Sequence, residues 1–288
     1  MKISSKFQPD KVVFSLEIFP PKQTTKIDTL YSMLDDLSTI RPDSISVTYG
    51  AGGNVADLRT VDLAGTIKND YNIESVAHLT CVSTSKDDVS VILDQLRDRN
   101  VENILALRGD RNPGIAPKED FKHASDLISF IRKHGDFGIA AACYPEVHSE
   151  AKNAAEDILH LREKVDAGVD YLITQLFLDN APFYRFMERA TIAGIKVPIE
   201  VGIMPITSKS QIERTVSMCG ASVPPKFAKM VQRYGDHPEA MRDAGIAYAV
   251  DQIVDLIANG VDGIHLYTMN NPYVAKRIYE SVENLLQK

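Results

Sequence analysis

Eight short apolar runs, each followed by a longer amphipathic stretch, constrain this 288-residue chain more than any other feature. The runs lie at 12–17, 44–50, 75–80, 103–109, 138–144, 171–177, 198–204 and 263–268. Near-continuous apolar runs of this length are how strands buried on both faces read. Between them, 26–40 spaces Ile27, Leu30, Met33, Leu34 and Leu37 along one helical stripe. The stretch 85–100 opens on Ser85 as an N-cap, with acidic residues in its first turn. Two further helical stretches end at Gly168 and Gly260, each followed by a Val-Asp that leads into the next strand. Repeated strand–helix units with short connections call for a parallel sheet. Eight of them predict an α/β fold: a single (β/α)8 TIM barrel over residues 1–288. An open doubly wound sheet is the alternative. The dinucleotide fingerprint G-x-G-x-x-G is absent after the first strand, which counts against a classical dinucleotide fold. The stretch 205–245, rich in Pro, Lys and Met, predicts extra helices before the last strand.

Composition narrows the setting. A formal charge of −7 with both signs interspersed argues against nucleic acid or an anionic membrane as partner. Cys81, Cys143 and Cys219 lie far apart without a C-x-x-C, which fits a reduced intracellular protein. No secretory signal is visible at the N-terminus, and no apolar stretch is long enough to span a bilayer. A soluble, cytoplasmic protein is expected.

In such barrels chemistry sits at the C-terminal ends of the strands. Those ends carry Glu17, Thr48 and Tyr49, His78 and Thr80, Arg108-Gly109-Asp110, Tyr144 with Glu146 and His148, Gln175, Gly202 with Pro205, and Tyr267 with Asn270 and Asn271. Each alone has a bland reading. Their shared polarity on one rim favours a ligand site. Glu17 sits in the apolar run "FSLEIFPPK", where a carboxylate is costly to bury. The two prolines after it end the strand sharply. Desolvation among Phe14, Phe19 and the barrel mouth would suit this carboxyl to general acid work. The Arg-Gly-Asp triplet continues an apolar strand, so a cell-adhesion role is poor. A structural Arg108–Asp110 ion pair, or a cation and an anion on one side of an extended segment, fits better. His78, His148 and His265 lack metal-ligand spacing, so no metal is assigned. Lys152 and Lys164 flank the helix after the fifth strand; such lysines are mostly solvated, though some neutralise phosphate.

Taken in order, "SLEIFPPK", "SVTYGAGG", "AHLTC", "LRGD", "AACYPEVHSEAK", "KVDAGVDYLITQLFLD", "GIMPI" and "HLYTMN" resemble bacterial methylenetetrahydrofolate reductase over nearly the whole chain. The resemblance implies a barrel carrying non-covalent FAD. It implies reduction of 5,10-methylenetetrahydrofolate to 5-methyltetrahydrofolate by NADH or NADPH, in ping-pong fashion, feeding methionine synthesis. It further implies folate and nicotinamide as partners, and a homo-oligomer. By position, Glu17 matches the acid that protonates N10 of the folate, and Asp110 the carboxylate beside flavin and folate. Thr48, Ala51, His78, Arg108, Gly109, Asp110, Ala124, Tyr144, His148, Ala151, Asp157 and Lys164 match flavin-contacting positions, with Lys164 at the pyrophosphate. Gln175 and Tyr267 match substrate-binding positions.

Two residues depart from the family pattern. Asn271 stands where Arg is common, bearing on a folate contact, and His123 where Tyr is common, bearing on a flavin contact. The regulatory domain of longer eukaryotic relatives is not expected here. The rival readings are another flavin barrel, such as a proline dehydrogenase-like oxidase, and a non-catalytic flavin- or folate-binding subunit.

Overall fold

Side chains alternate between two environments along β1 (Val13–Ile18). Phe14, Leu16 and Ile18 join the large apolar core on the helix side, where the Phe14 ring lies 5.4 Å from that of Tyr279. Val13, Ser15 and Glu17 therefore face the other way, into the barrel. The same alternation repeats in β2 (Ser44–Val47), β3 (Glu74–Thr80), β4 (Asn103–Leu107), β5 (Gly138–Cys143), β6 (Tyr171–Thr174), β7 (Ile199–Ile203) and β8 (Gly263–Tyr267). All pairs are parallel, and β8 pairs back onto β1, closing the barrel in sequence order. The computed structural model describes residues 1–20, 27–49, 59–110 and 118–287.

Around the strands lie α1 (Ile27–Ser38), α2 (Arg59–Asn69), α3 (Lys86–Asp98), α4 (Ala124–His134), α5 (Ala154–Asp166) and α6 (Asn180–Ile192). Then come α7 (Lys209–Cys219), α8 (Pro225–Tyr234), α9 (Pro238–Ala258) and α10 (Pro272–Val282). The barrel expectation is borne out, and α7 and α8 are the extra helices before β8. Ser85 caps α3 as expected, in a reciprocal box with Asp88. Gly168 and Gly260 adopt φ of +113° and +80° just past α5 and α9. The aspartates that follow them have a specific job. Asp170 Oδ2 accepts from Ile139 N at 2.7 Å, and Asp262 Oδ2 from Ile199 N at 2.9 Å. Asp43 does the same for Phe14 N at 3.1 Å. Each stands just before its own strand and satisfies an N–H at the start of the strand beside it.

Several boundaries differ from the sequence reading: β2 ends at Val47 rather than 50, β4 at Leu107 rather than 109, and the largest differences with a visible local cause are in β6 and α9. β6 stops at Thr174 rather than 177, because the Gln175 side chain bends back and accepts from Leu176 N at 2.9 Å. α9 starts at Pro238, well before the periodic stretch, since Pro at the first helical turn is already set for helix.

The lower end of the barrel is apolar. A short 3-10 turn, Ile3–Lys6, plugs it, with Ile3 packed on Val76, Leu105, Ala140, Tyr171 and Ile173. Above that plug the interior turns polar.

Candidate active site

Among the described residues, the polar interior around Glu17 includes Ser15 from β1, Ser46 from β2, His78 from β3, Glu200 from β7 and His265 from β8. All are buried, Glu17 being 8% exposed and Glu200 only 1%. Burying two carboxylates would cost several kcal/mol each without partners. The partners are present. Glu17 Oε2 is hydrogen-bonded to His265 Nε2 at 3.4 Å; His78 Nε2 lies equally near at 3.4 Å but makes no hydrogen bond among the described residues. On the opposite ring nitrogen, His265 Nδ1 is 2.7 Å from Ser15 Oγ and 3.5 Å from Glu200 Oε2. Ser15 Oγ also donates to Glu200 Oε2 at 2.8 Å.

The two histidines titrate in opposite directions. Burial drives His78 down to about 4. Burial opposes charge on His265 too, but hydrogen bonds and charge from Glu17 and Glu200 outweigh it and carry it up to about 9. Near neutral pH, then, one neutral and one cationic imidazole flank the same carboxyl. The sequence reading surrounded Glu17 with Phe14 and Phe19. That is corrected: Phe14 faces the helices, Phe19 is 37% exposed, and the carboxyl lies between histidines.

The exit of β1 is clamped by the segment after β8. Thr268 Oγ1 donates to Glu17 O at 2.7 Å, and Asn270 holds Phe19 through both N–H (2.8 Å) and O (3.1 Å). Met269 and Asn270 accept left-handed φ of +52° and +55° to do so. Pro20 follows the clamp directly, whereas Pro21 lies outside the described residues. Tyr267 OH donates to Thr174 O at 2.8 Å, fixing the ring at the mouth beside Gln175. Thr48 directly follows β2 on the same rim, its N–H bonded to Ile18 O at 3.0 Å.

Beside the mouth, a cavity of about 270 Å³ opens between β4, β5 and helices α4 and α5. It collects Arg108, Ala124, Tyr144, His148, Ala151, Asp157 and Lys164 from the positions matched by resemblance. Small residues form part of its wall. Lys164 is half-buried; its Nζ donates to Ala142 O at 2.6 Å and sits 5.8 Å from the Tyr144 ring centre. Burial lowers its pKa and raises that of Asp157. Lys152, by contrast, is an exposed partner of Glu156. His123 caps α4 at the cavity edge, its N–H bonded to Asp126 Oδ2 at 2.9 Å.

Gly109 and Asp110 follow Arg108 beyond the end of β4, with Gly109 packed against Thr80. Gly109 has a φ of +84°, and a Cβ there would meet Thr80 Cβ at 3.0 Å, so only glycine suits the turn. That turn breaks the extended geometry expected of the triplet. The expected Arg108–Asp110 pair is likewise replaced: Arg108 makes a bidentate pair with Glu150 at 2.6 and 2.7 Å. Asp110 is exposed at the rim. Ala51 lies outside the described residues. Asn271 caps α10, accepting from Val274 N at 3.2 Å.

The family model for methylenetetrahydrofolate reductase matches residues 2–283. The chain belongs to that family. Among methylenetetrahydrofolate reductases, the 5,10-methylenetetrahydrofolate reductase of Pectobacterium carotovorum subsp. carotovorum is 37% identical over 260 residues, 90% of this chain and 86% of that protein. Methylenetetrahydrofolate reductase 1 of Schizosaccharomyces pombe is 37% identical over 290 residues, covering 97% of this chain but 48% of its own length. A solved structure from Clostridium thermocellum, described as binding two copies of 5-methyl-5,6,7,8-tetrahydrofolic acid, superposes with a TM-score of 0.64. It covers 96% of this chain at 14% identity, a likeness of fold. Membership of the methylenetetrahydrofolate reductase family makes the chain an oxidoreductase acting on that folate. Among the described residues no helix is long and apolar enough to cross a membrane.

Sequence reasoning missed Ser15 and Glu200 and used His265 only to exclude a metal. The signal for Glu200 was available: like Glu17, it is a lone carboxylate inside an apolar strand run, "PIEVGIM".

Proposed function

We propose that the protein reduces 5,10-methylenetetrahydrofolate to 5-methyltetrahydrofolate with NADH or NADPH through non-covalent FAD, in ping-pong order. The observation that carries this is Glu17: a carboxyl buried inside the barrel at the C-terminal end of β1, between two histidines. The cavity's donor set fits a flavin dinucleotide. Arg108 and Lys164 supply cationic donors for a pyrophosphate, Tyr144 and His148 supply rings, and Ala124 and Ala151 leave room for a flat group. Thr48, His78, Gly109 and Asp110 complete the proposed contacts from the mouth side, and Ala51 is assigned by resemblance alone. FAD bound there would supply reversible hydride acceptance, serving nicotinamide and folate in turn.

The chain's own residues would do the rest. Glu17 would give its proton to N10 of the folate, opening the five-membered ring to an N5 iminium able to accept hydride. Asp110 would hold its negative charge near that cation. Gln175 and Tyr267 would orient the pterin; the Tyr267–Thr174 hydrogen bond pre-sets the ring for that work. The free thiols of Cys81, Cys143 and Cys219 support a reducing, cytoplasmic setting. A homo-oligomer rests on the family resemblance.

Purified protein should be yellow, or gain a bound-flavin spectrum with FAD, and bleach anaerobically with NADH or NADPH. A colourless protein that takes up no flavin would refute the proposal.

A further inference from the structure

Glu200 has no part in the chemistry above, yet it is the most deeply buried carboxylate of the polar interior. One of its oxygens, Oε1, has no hydrogen-bond partner among the described residues. An ion pair kept for stability alone is a poor explanation, since a buried pair with an unsatisfied oxygen is often no better than apolar packing. Its effect is on the histidines. His78 and His265 stand equally far from Glu17 Oε2, at 3.4 Å. Only His265 has a second carboxylate, Glu200, and a hydroxyl, Ser15, on its other nitrogen.

Charge counting gives this asymmetry a meaning. A buried cluster is cheapest when its net charge is zero. Glu17 and His265 alone are neutral as carboxylate and imidazolium, a pair with no proton on the acid. Adding the Glu200 carboxylate makes the neutral state one proton richer. We propose that Glu200 is a positioning residue for the acid step: it takes up the charge of the His265 imidazolium, so that Glu17 holds a transferable proton and His265 replaces it after transfer. The Glu17 O–H bond breaks as N10–H forms. The His265 Nε2–H bond then breaks as Glu17 O–H re-forms, and neutral His265 takes its next proton from solvent. This rests on Glu17 as the folate's acid.

The groups facing His265 are Ser15 and Glu17 of β1, His78 of β3, Glu200 of β7 and Tyr267 of β8, whose ring lies 5.1 Å away. Tyr171 of β6 is within electrostatic reach of Glu200. Among these only Glu200 supplies His265 with a second negative charge.

The test is Glu200→Gln, nearly isosteric, in the FAD-loaded enzyme. Anaerobic folate reduction by the pre-reduced enzyme should slow roughly tenfold near neutral pH, and its limb requiring the protonated acid should move down by about one unit. Reduction by the nicotinamide should be unchanged. Independently, ¹⁵N-histidine NMR of the wild-type protein should find one buried imidazole protonated on both nitrogens at neutral pH, assigned to His265 by His265→Gln. An unmoved limb, equal loss in both half-reactions, or a neutral His265 in the wild type would overturn the proposal. If Glu200→Gln does not fold, the wild-type NMR decides. Folate reduction that survives Glu17→Gln would instead overturn the reading of Glu17 itself.

Discussion

At the residue scale, one carboxyl oxygen beside two unlike histidines ties the proposed chemistry to the pH dependence of stability. His265 is raised to about 9 against an ordinary value of about 6.5, so it binds a proton more tightly folded than unfolded. Its contribution is complete below about pH 6.5 and is lost as pH rises towards 9. His78 is lowered to about 4, so its contribution is complete above about pH 6.5 and is lost as pH falls towards 4. From these two residues, urea midpoints should peak near pH 6.5 and decline on both sides. His265→Gln should flatten the alkaline decline; a wild-type midpoint that does not fall between pH 6.5 and 9 would contradict the assignment. In the side cavity, Lys164→Met keeps the stem but removes the charge. Flavin titration should show roughly tenfold weaker FAD binding with little change in melting temperature. Unaltered affinity would remove Lys164 from the cofactor's contacts.

Among the elements, the strands were the most legible, because residues buried on both faces leave near-continuous apolar runs. All eight runs became strands. The exceptions have local causes: a Gln175 side chain competing for the next N–H ended β6 early, and Pro238 started α9 early. Asn271, where the resemblance leads to an expectation of Arg, caps α10. Asn271→Ala should cost about 1 kcal/mol, measurable by urea unfolding. A neutral substitution would mean the cap contributes nothing net. Gly202 of β7 marks a close approach in the mouth. A Cβ there would fall 2.4 Å from Thr174 O and 2.7 Å from the Tyr267 ring. Gly202→Ala should therefore displace Tyr267 and destabilise by about 1–3 kcal/mol. Equal melting temperatures for variant and parent would contradict that packing.

For the whole molecule, closure of the barrel is what turns separate strand ends into one site. Strands far apart in sequence, β1, β3, β7 and β8, bring Glu17, His78, Glu200 and His265 together. Sequence patterning made the rim residues legible, since polarity at the ends of buried strands is conspicuous. It could not show which residues meet across the barrel, because that depends on register: Ser15 beside His265, Gly202 beside His265. Hence Glu17 was singled out while Glu200, an equal anomaly in its own run, passed as one residue of a strand. The same gap gave Arg108 the wrong carboxylate, Asp110 in place of Glu150.

The central claim is that Glu17 serves the folate half-reaction alone. Stopped-flow measurement of both half-reactions in Glu17→Gln tests it most directly. Flavin reduction by the nicotinamide should proceed at close to the wild-type rate, while folate reduction falls by about 100-fold or more. Equal loss in both half-reactions, or folate reduction at the wild-type rate, would contradict it.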